Sequence, residues 1–353
     1  MRYDLRDPKI LSREAEAAGH GLGTIRREPI MLDPSMTIAE AFVAVTRGCV
    51  THIVTAAEAA RRTDDPESIH QLRVGIRRLR AAFSVFSPAL PPRPAIVNQL
   101  RALQERLGTA RDIDVLYEEM VASMPHDLRN RRGMRELTQA VQIHRIASHR
   151  RARMMVASRR CSELLSHLGT SMECYVSHPG GSAAATRMDQ PITGFAVELL
   201  ESRLRKARKL GDDIRDLDRG ELHKLRIRIK KLRYSVEFFR DLESRARIQP
   251  YLRALKDLQQ LLGMTHDAVV ASSLIAEIGK RGGPAPERAA VVAQDWANAC
   301  FKRAERKLPG AWRRFIACKS PWKSGRKPRP ELRKRSPGVG RVSWPYADAF
   351  ART

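Results

Sequence analysis

From Thr37 onward the apolar positions of this chain recur at helical spacing. Ile38, Phe42, Val45, Cys49, His52 and Ile53 follow one another at intervals that bring them toward one helix face. Thr37 with Glu40 is the pattern of a capping box, in which each side chain answers the other residue's backbone N–H, so a helix is predicted to start there. Asp64-Asp65-Pro66 ends that helix and starts a second. Ser87-Pro88 with Pro91-Pro92-Arg93-Pro94 closes the second in turn. Further helices are predicted over about 95–107, with Gly108 as the C-cap, and from Arg111-Asp112 to about Met124. A basic helical stretch follows over about 127–155, and another helix around 161–175. Met154, Met155, Leu164, Leu165 and Leu168 read as core. His178-Pro179-Gly180-Gly181-Ser182 through Pro191 is rich in turn formers and reads as a junction between two halves. No stretch alternates as a strand does, so the fold class is all-α.

The second half replays the first. Residues 68–80 read S-I-H-Q-L-R-V-G-I-R-R-L-R and residues 221–233 read E-L-H-K-L-R-I-R-I-K-K-L-R, an offset of 153. His70/His223, Leu72/Leu225, Arg73/Arg226, Ile76/Ile229, Leu79/Leu232 and Arg80/Arg233 are identical pairs, and Phe42/Phe195 keeps the same offset. A second pairing sets Leu103-Gln104 through Leu107-Gly108 and Asp112 against Leu258-Gln259 through Leu262-Gly263 and Asp267, at offset 155. Two pairings in the same order point to an internal duplication.

On a helix wheel at roughly 100° per residue, His70, Arg73, Arg77 and Arg80 share about 80° of one face, beside an apolar stripe of Leu72, Ile76, Leu79 and Phe83. His223, Arg226, Lys230 and Arg233 repeat the cationic stripe, and Leu225, Ile229, Leu232 and Val236 the apolar one. Like charges three and four residues apart repel, and no acidic residue within either stripe relieves them. An external anion would. Arginine offers a planar fork of donors to phosphate oxygens and lysine a mobile point charge, while histidine donates more strongly when protonated.

Composition sharpens this picture. The chain has 353 residues and a net charge of +26, a field that attracts nucleic acid, an anionic membrane or polyphosphate. Aromatics are only 5 %, few for a protein that stacks single-stranded bases, and neither copy of the basic segment contains one. Five scattered cysteines form no C-x-x-C pair, which argues against a disulfide framework or a zinc ribbon. There is no apolar leader and no apolar run near the roughly 20 residues that span a bilayer, so a soluble, cytoplasmic protein without membrane contact is expected. Residues 1–34 read as an irregular lead-in whose Gly19, Gly21 and Gly23 lack the G-K-[S/T] of a phosphate loop. Residues 319–353 read as a basic tail without core-forming composition.

The chain resembles the CHAD proteins, the conserved histidine α-helical domain. The resemblance is carried by His70-Gln-Leu-Arg73-Val-x-x-Arg77-Arg78-Leu-Arg80 and Leu107-Gly-x-x-Arg111-Asp112, each with its second-half counterpart, and it covers roughly residues 35–318. It implies two tandem four-helix-bundle repeats, about 35–177 and 191–318, related by a pseudo-twofold axis around a basic central cavity. It also implies binding of inorganic polyphosphate and association with polyphosphate granules. Carried over residue by residue, the ligand contacts would be His70, Arg73, Arg77 and Arg80, facing His223, Arg226, Lys230 and Arg233. Arg78 and Lys231 are second choices, and Arg101, Arg111 and Lys256 are rim contacts. The counterpart of Arg111 is His266, so the two sides need not bind identically. Gly75 interrupts the first motif helix where Arg228 stands in the second.

Other chemistries find less support. Asp112 and Asp114 could suggest a metal pair, but the second half keeps only Asp267, with Val269 after it. Asp112 and Asp267 read better as helix caps or salt-bridge partners. His144 and His149 lack an H-E-x-x-H pattern. The E-x-E-x-K signature of the triphosphate-tunnel domain that accompanies some CHAD proteins is absent. No catalytic residue, metal or cofactor is expected. Nonspecific nucleic-acid binding through the basic surface and tail is the alternative, and a phosphoanhydride hydrolase the third reading.

Overall fold

In the computed structural model the described residues are 30–90, 94–177 and 182–323. They form helices α1 (Ile38–Arg62), α2 (Pro66–Phe86), α3 (Pro94–Arg106), α4 (Gly108–Ala122), α5 (His126–Arg129) and α6 (Met134–Val156). After these come α7 (Arg159–Ser177), α8 (Ser182–Met188), α9 (Ile192–Gly211), α10 (Arg219–Phe238), α11 (Arg245–Arg281) and α12 (Pro284–Ala317), with short 3-10 turns at Arg240–Leu242 and Pro321–Lys323. Among the described residues there is no strand, only an isolated antiparallel bridge between Thr37 and Pro191. The fold is all-α. The lead-in glycines, Pro91-Pro92-Arg93, His178-Pro179-Gly180-Gly181 and the basic tail beyond Lys323 lie outside the described residues.

Local chemistry sets the helix starts. The Thr37 backbone N–H donates to Glu40 Oε2 at 2.9 Å and the Glu40 N–H to Thr37 Oγ1 at 3.2 Å, the box expected there. Asp65 caps α2 through the Glu67 N–H, ahead of Pro66 in the first turn. Asp218 and Glu221 build a second box at the start of α10, the other motif helix. Gly108 is not a left-handed C-cap. Among the described residues positive φ occurs only at Gly133 and Gly283, and Gly108 opens α4 directly after a break at Leu107. In the second half the same stretch is unbroken, and Gly263 lies inside the 37-residue α11.

The motif helices are amphipathic as predicted. Leu72, Ile76 and Leu79 on α2, and Leu225, Ile229 and Leu232 on α10, are fully buried. The apolar side chains gather into two cores. The larger joins α1, α2 and α3 with α9, α10 and the first part of α11, and Phe42, Phe86, Phe195 and Phe239 meet in it; Phe86 and Phe195 stack at 5.8 Å. The smaller joins Ile113, Leu116 and Leu137 of α4 and α6 with Ile275, Ile278 and Trp296 of α11 and α12. Neither core belongs to one half alone. The chain stays in contact with the larger core past residue 318, since Trp322 is buried there against Tyr251.

Gly75 has a packing reason. A Cβ placed on it would meet Ile53 Cγ1 at 2.8 Å and the His52 ring at 3.0 Å, so its bare backbone lets α1 approach α2 closely. Two further expectations are corrected. Met154 is not core: it is 65 % exposed, on the outer side of α6 with Ile143 and Ile146. Helices long and apolar enough to cross a membrane do exist. α1 and α11 each hold an 18-residue window of mean hydropathy 1.3. Both are packed within the fold, α1 against α2 and α11 against α12.

Candidate functional site

The two motif helices pack against each other, and α4 packs against α11 beside them. The two stretches that repeat in sequence therefore meet in space. Arg77 of α2 reaches across and donates from Nε to the Tyr234 hydroxyl of α10 at 2.8 Å. Arg73 donates from Nη1 to the Leu107 carbonyl, at the break between α3 and α4. Arg226 of α10 stands 3.8 Å from Asp267 of α11.

The electrostatics describe one crowded cluster. Burial lowers the pKa of His70, and the charges of Arg111, Arg77 and Arg73 lower it further, against the opposing pull of Glu67. Its Nδ1 is buried without a hydrogen-bond partner. Burial brings Arg73 down to about 10, with Arg77 and Arg111 adding to the shift and Asp112 opposing it. Lys230 shows the largest effect among the stripe residues. Burial, followed by repulsion from Arg77, Arg226 and Arg233, drops its ammonium to about 7. Arg226 is lowered by burial and by Arg77, while Asp267 and Asp112 raise it. Asp112 and Asp267 are both raised, chiefly by burial, although surrounded by cations. His266 lies beside His223, Nδ1 to Nδ1 at 3.3 Å. Burial with Arg226, His223 and Lys230 holds it down to about 4.

The expected residues divide into groups. His70, Arg73, Arg77, Arg226 and Lys230 belong to the cluster, and Arg111 sits within it, since its charge bears on His70, Arg73 and both aspartates. His223 adjoins it through His266. Arg78 and Arg233 are held by one carboxylate: Glu237 accepts from Arg233 at 2.9 Å and from Arg78 at 3.4 Å. Arg78 also lies over the Phe238 ring, and its hydrogen bond bears on the buried Cys49. Arg80 donates to Gln104 Oε1 at 2.8 Å and has Arg101 beside it, on the α3 side. Lys231 neighbours Arg203 and Lys206, and Lys256 is exposed on α11.

Several side chains were not anticipated. Tyr234 and Glu237 lie one and four residues past Arg233, and an Arg-to-Glu spacing of four on a helix was a readable sign of pairing. Arg203 of α9 donates to the Lys231 carbonyl and Ser235 Oγ of α10 and to the Ser84 carbonyl of α2, tying three helices together. Asp112 and Asp267 both lie inside helices, so the cap reading is corrected and the salt-bridge reading holds for Asp267. Asp114 is no partner for a metal beside Asp112. It is buried and accepts from Arg145 at 2.7 Å, with His149 Nε2 at 2.8 Å. Those hydrogen bonds hold its carboxyl low despite burial, which alone would raise it.

The profile of the CHAD domain matches residues 44–276. This chain belongs to the CHAD family. A crystal structure of the CHAD domain from the plant Ricinus communis superposes with a TM-score of 0.74 at 29 % identity, covering 86 % of this chain and 99 % of that one. PptA from Streptomyces chartreusis superposes with a TM-score of 0.60, covering 79 % of this chain and all of that one; at 15 % identity it shows the shared fold alone. The uncharacterized protein Rv2226 of Mycobacterium tuberculosis (strain H37Rv) is 28 % identical over 224 residues, as is MT2285 of strain CDC 1551. The matched region is 61 % of this CHAD chain and 41 % of each mycobacterial protein, so the chain spans under half the length of those relatives.

Proposed function

We propose that this CHAD protein binds inorganic polyphosphate between its two motif helices and associates through that ligand with polyphosphate granules in the cytoplasm. The observation that carries the reading is the convergence of His70, Arg73, Arg77, Arg111, Arg226 and Lys230 from both halves into one cluster. Cations forced together in this way repel one another, and a chain of linked phosphates relieves many of those repulsions at once. Guanidinium forks suit phosphate oxygens, and Tyr234, the aromatic ring that meets Arg77, is buried and closed to stacking bases. The function is binding, with no catalytic residue assigned.

The test is a competition titration at fixed moderate salt. Labelled long-chain polyphosphate on the purified protein is challenged with equal phosphate equivalents of single-stranded RNA and duplex DNA. Retention of the label supports a phosphate-chain site. Ready displacement by both would make the +26 charge a general polyanion trap. Arg226→Ala with Lys230→Ala is expected to lower polyphosphate affinity at least tenfold with an unchanged circular dichroism spectrum; unchanged affinity would remove the cluster from the reading.

A further inference from the structure

Two carboxylates stand among the cations, at matching places in the two copies of the Leu-Gly motif: Asp112 on α4 and Asp267 on α11. Asp112 is acted on by Arg73, Arg111 and Arg226, and Asp267 by Arg226, Lys230 and Arg111. Each thus answers cations from both halves. They are also near enough to each other that the charge of Asp112 raises the proton affinity of Asp267. Both are inside helices and cap nothing. With Arg226 and Asp267 3.8 Å apart, the contact is a loose ion pair rather than a tight fork.

An anion site that retains two carboxylates needs an account. We propose that Asp112 and Asp267 are its internal counter-ions: Asp267 pairs with Arg226, Asp112 balances the charge of the neighbouring arginines when the cluster is empty, and the entering phosphate chain displaces both, so that binding takes up protons. This rests on the polyphosphate reading. Phosphate oxygens compete for the guanidinium donors the carboxylates now face. A displaced carboxylate is left beside an anionic chain, and that neighbour favours its protonated form. The other groups shift in the same direction. On α10, Lys230 faces Arg226 and Arg233 along its own helix, Arg77 from α2 and Asp267 from α11. On α2, His70 faces Arg73 and Arg77 of its helix and Arg111 of α4, with Glu67 of its own helix pulling the other way. On α11, His266 faces His223, Arg226 and Lys230 of α10. Each gives up its proton readily because of burial first and the surrounding cations second, and an anionic chain offsets the second of these. Every change is an uptake, so binding strengthens as the pH falls.

The experiment is isothermal titration calorimetry of the full chain with long-chain polyphosphate at pH 7, in two buffers of different ionisation enthalpy. The wild-type heat is expected to depend on the buffer, corresponding to about one proton or more taken up per chain bound. Affinity is expected to fall about tenfold or more between pH 6.5 and 8.5. Asp112→Asn with Asp267→Asn should bind more tightly, take up fewer protons and show a shallower pH profile. Buffer-independent heat in the wild type, or unchanged uptake in the double variant, overturns the proposal. Absence of binding in every buffer instead removes the polyphosphate reading itself. If circular dichroism shows the double variant misfolded, Asp267→Asn alone carries the same comparison.

Discussion

Arg77 and Tyr234 join the two halves by a hydrogen bond from guanidinium Nε to phenol hydroxyl at 2.8 Å. Tyr234 is buried, so the hydroxyl is a fixed acceptor that aims Arg77 into the cluster. Tyr234→Phe keeps the ring and removes the acceptor. Hydrogen bonds to charged groups contribute roughly 1.5–3 kcal/mol, less where water reaches the donor. A loss of about 1–2 kcal/mol in urea unfolding is expected, together with weaker polyphosphate binding as Arg77 gains freedom. Unchanged values of both would show that Arg77 is held by its surroundings alone.

Glu237 serves two arginines, Arg78 from the first half and Arg233 from its own helix, all three largely shielded from solvent. Removing one partner of a shielded ion pair leaves the others uncompensated. Glu237→Gln is expected to destabilise by about 2–3 kcal/mol, below the value for full burial because some water reaches the group. Denaturant unfolding checks it, and a change under 0.5 kcal/mol would contradict the shared role.

Two glycines on helices should respond oppositely to alanine. At Gly75 the new methyl meets Ile53 and His52 at 2.8–3.0 Å, and overpacking of that kind costs about 1–3 kcal/mol, outweighing the helix propensity gained. At Gly263 the nearest atom is Asp267 Oδ2 at 4.0 Å, so Gly263→Ala should gain up to about 1 kcal/mol. Thermal melts of the two variants in parallel test the difference.

Without ligand, the cluster makes stability depend on pH in a defined direction. The Lys230 ammonium releases its proton at about 7 when folded, well below the ordinary lysine value. The unfolded chain therefore holds that proton more tightly, and stability rises with pH between about 7 and the ordinary lysine range near 10.4. Lys230→Met should be more stable than the wild type at pH 7, with the gap closing toward pH 10. The sign is the same at His266, held at about 4. Its contribution to stability is lost as pH falls from about 6.5 toward 4, and His266→Gln should soften that acid limb. A Lys230 gap independent of pH would mean that packing, not charge, sets the difference.

Some of this was readable from the chain and some was not. Thr37 and Glu40 announced a helix start because both halves of that interaction lie three residues apart, and Asp218 and Glu221 carried the same local signal. The stripe of Leu72, Ile76 and Leu79 was legible because burial on one helix face follows a fixed period. The fate of each arginine was not. Arg77 and Arg78 are adjacent, yet one faces Tyr234 and the cluster while the other turns to Glu237 and Cys49. The choice depends on a neighbouring helix more than 150 residues away in sequence. Arg203, whose counterpart at the duplication offset is Val50, gave no repeat signal for its tie to Ser84 and Ser235. His149 and Asp114 are 35 residues apart on different helices, beyond the reach of local spacing. Leu107 shows a further limit. The same leucine-glycine pair breaks the helix in the first half and lies inside a continuous helix in the second.

The sharing of both cores between halves bears on how the chain comes to be made. Ile113, Leu116 and Leu137 must wait for Ile275, Ile278 and Trp296 before their apolar faces are covered. A ribosome that has released only the first copy of the duplication has delivered parts of two cores and the whole of neither. Neither half is a separable body; expression of residues 1–190 should yield a sticky, poorly cooperative product rather than half a protein.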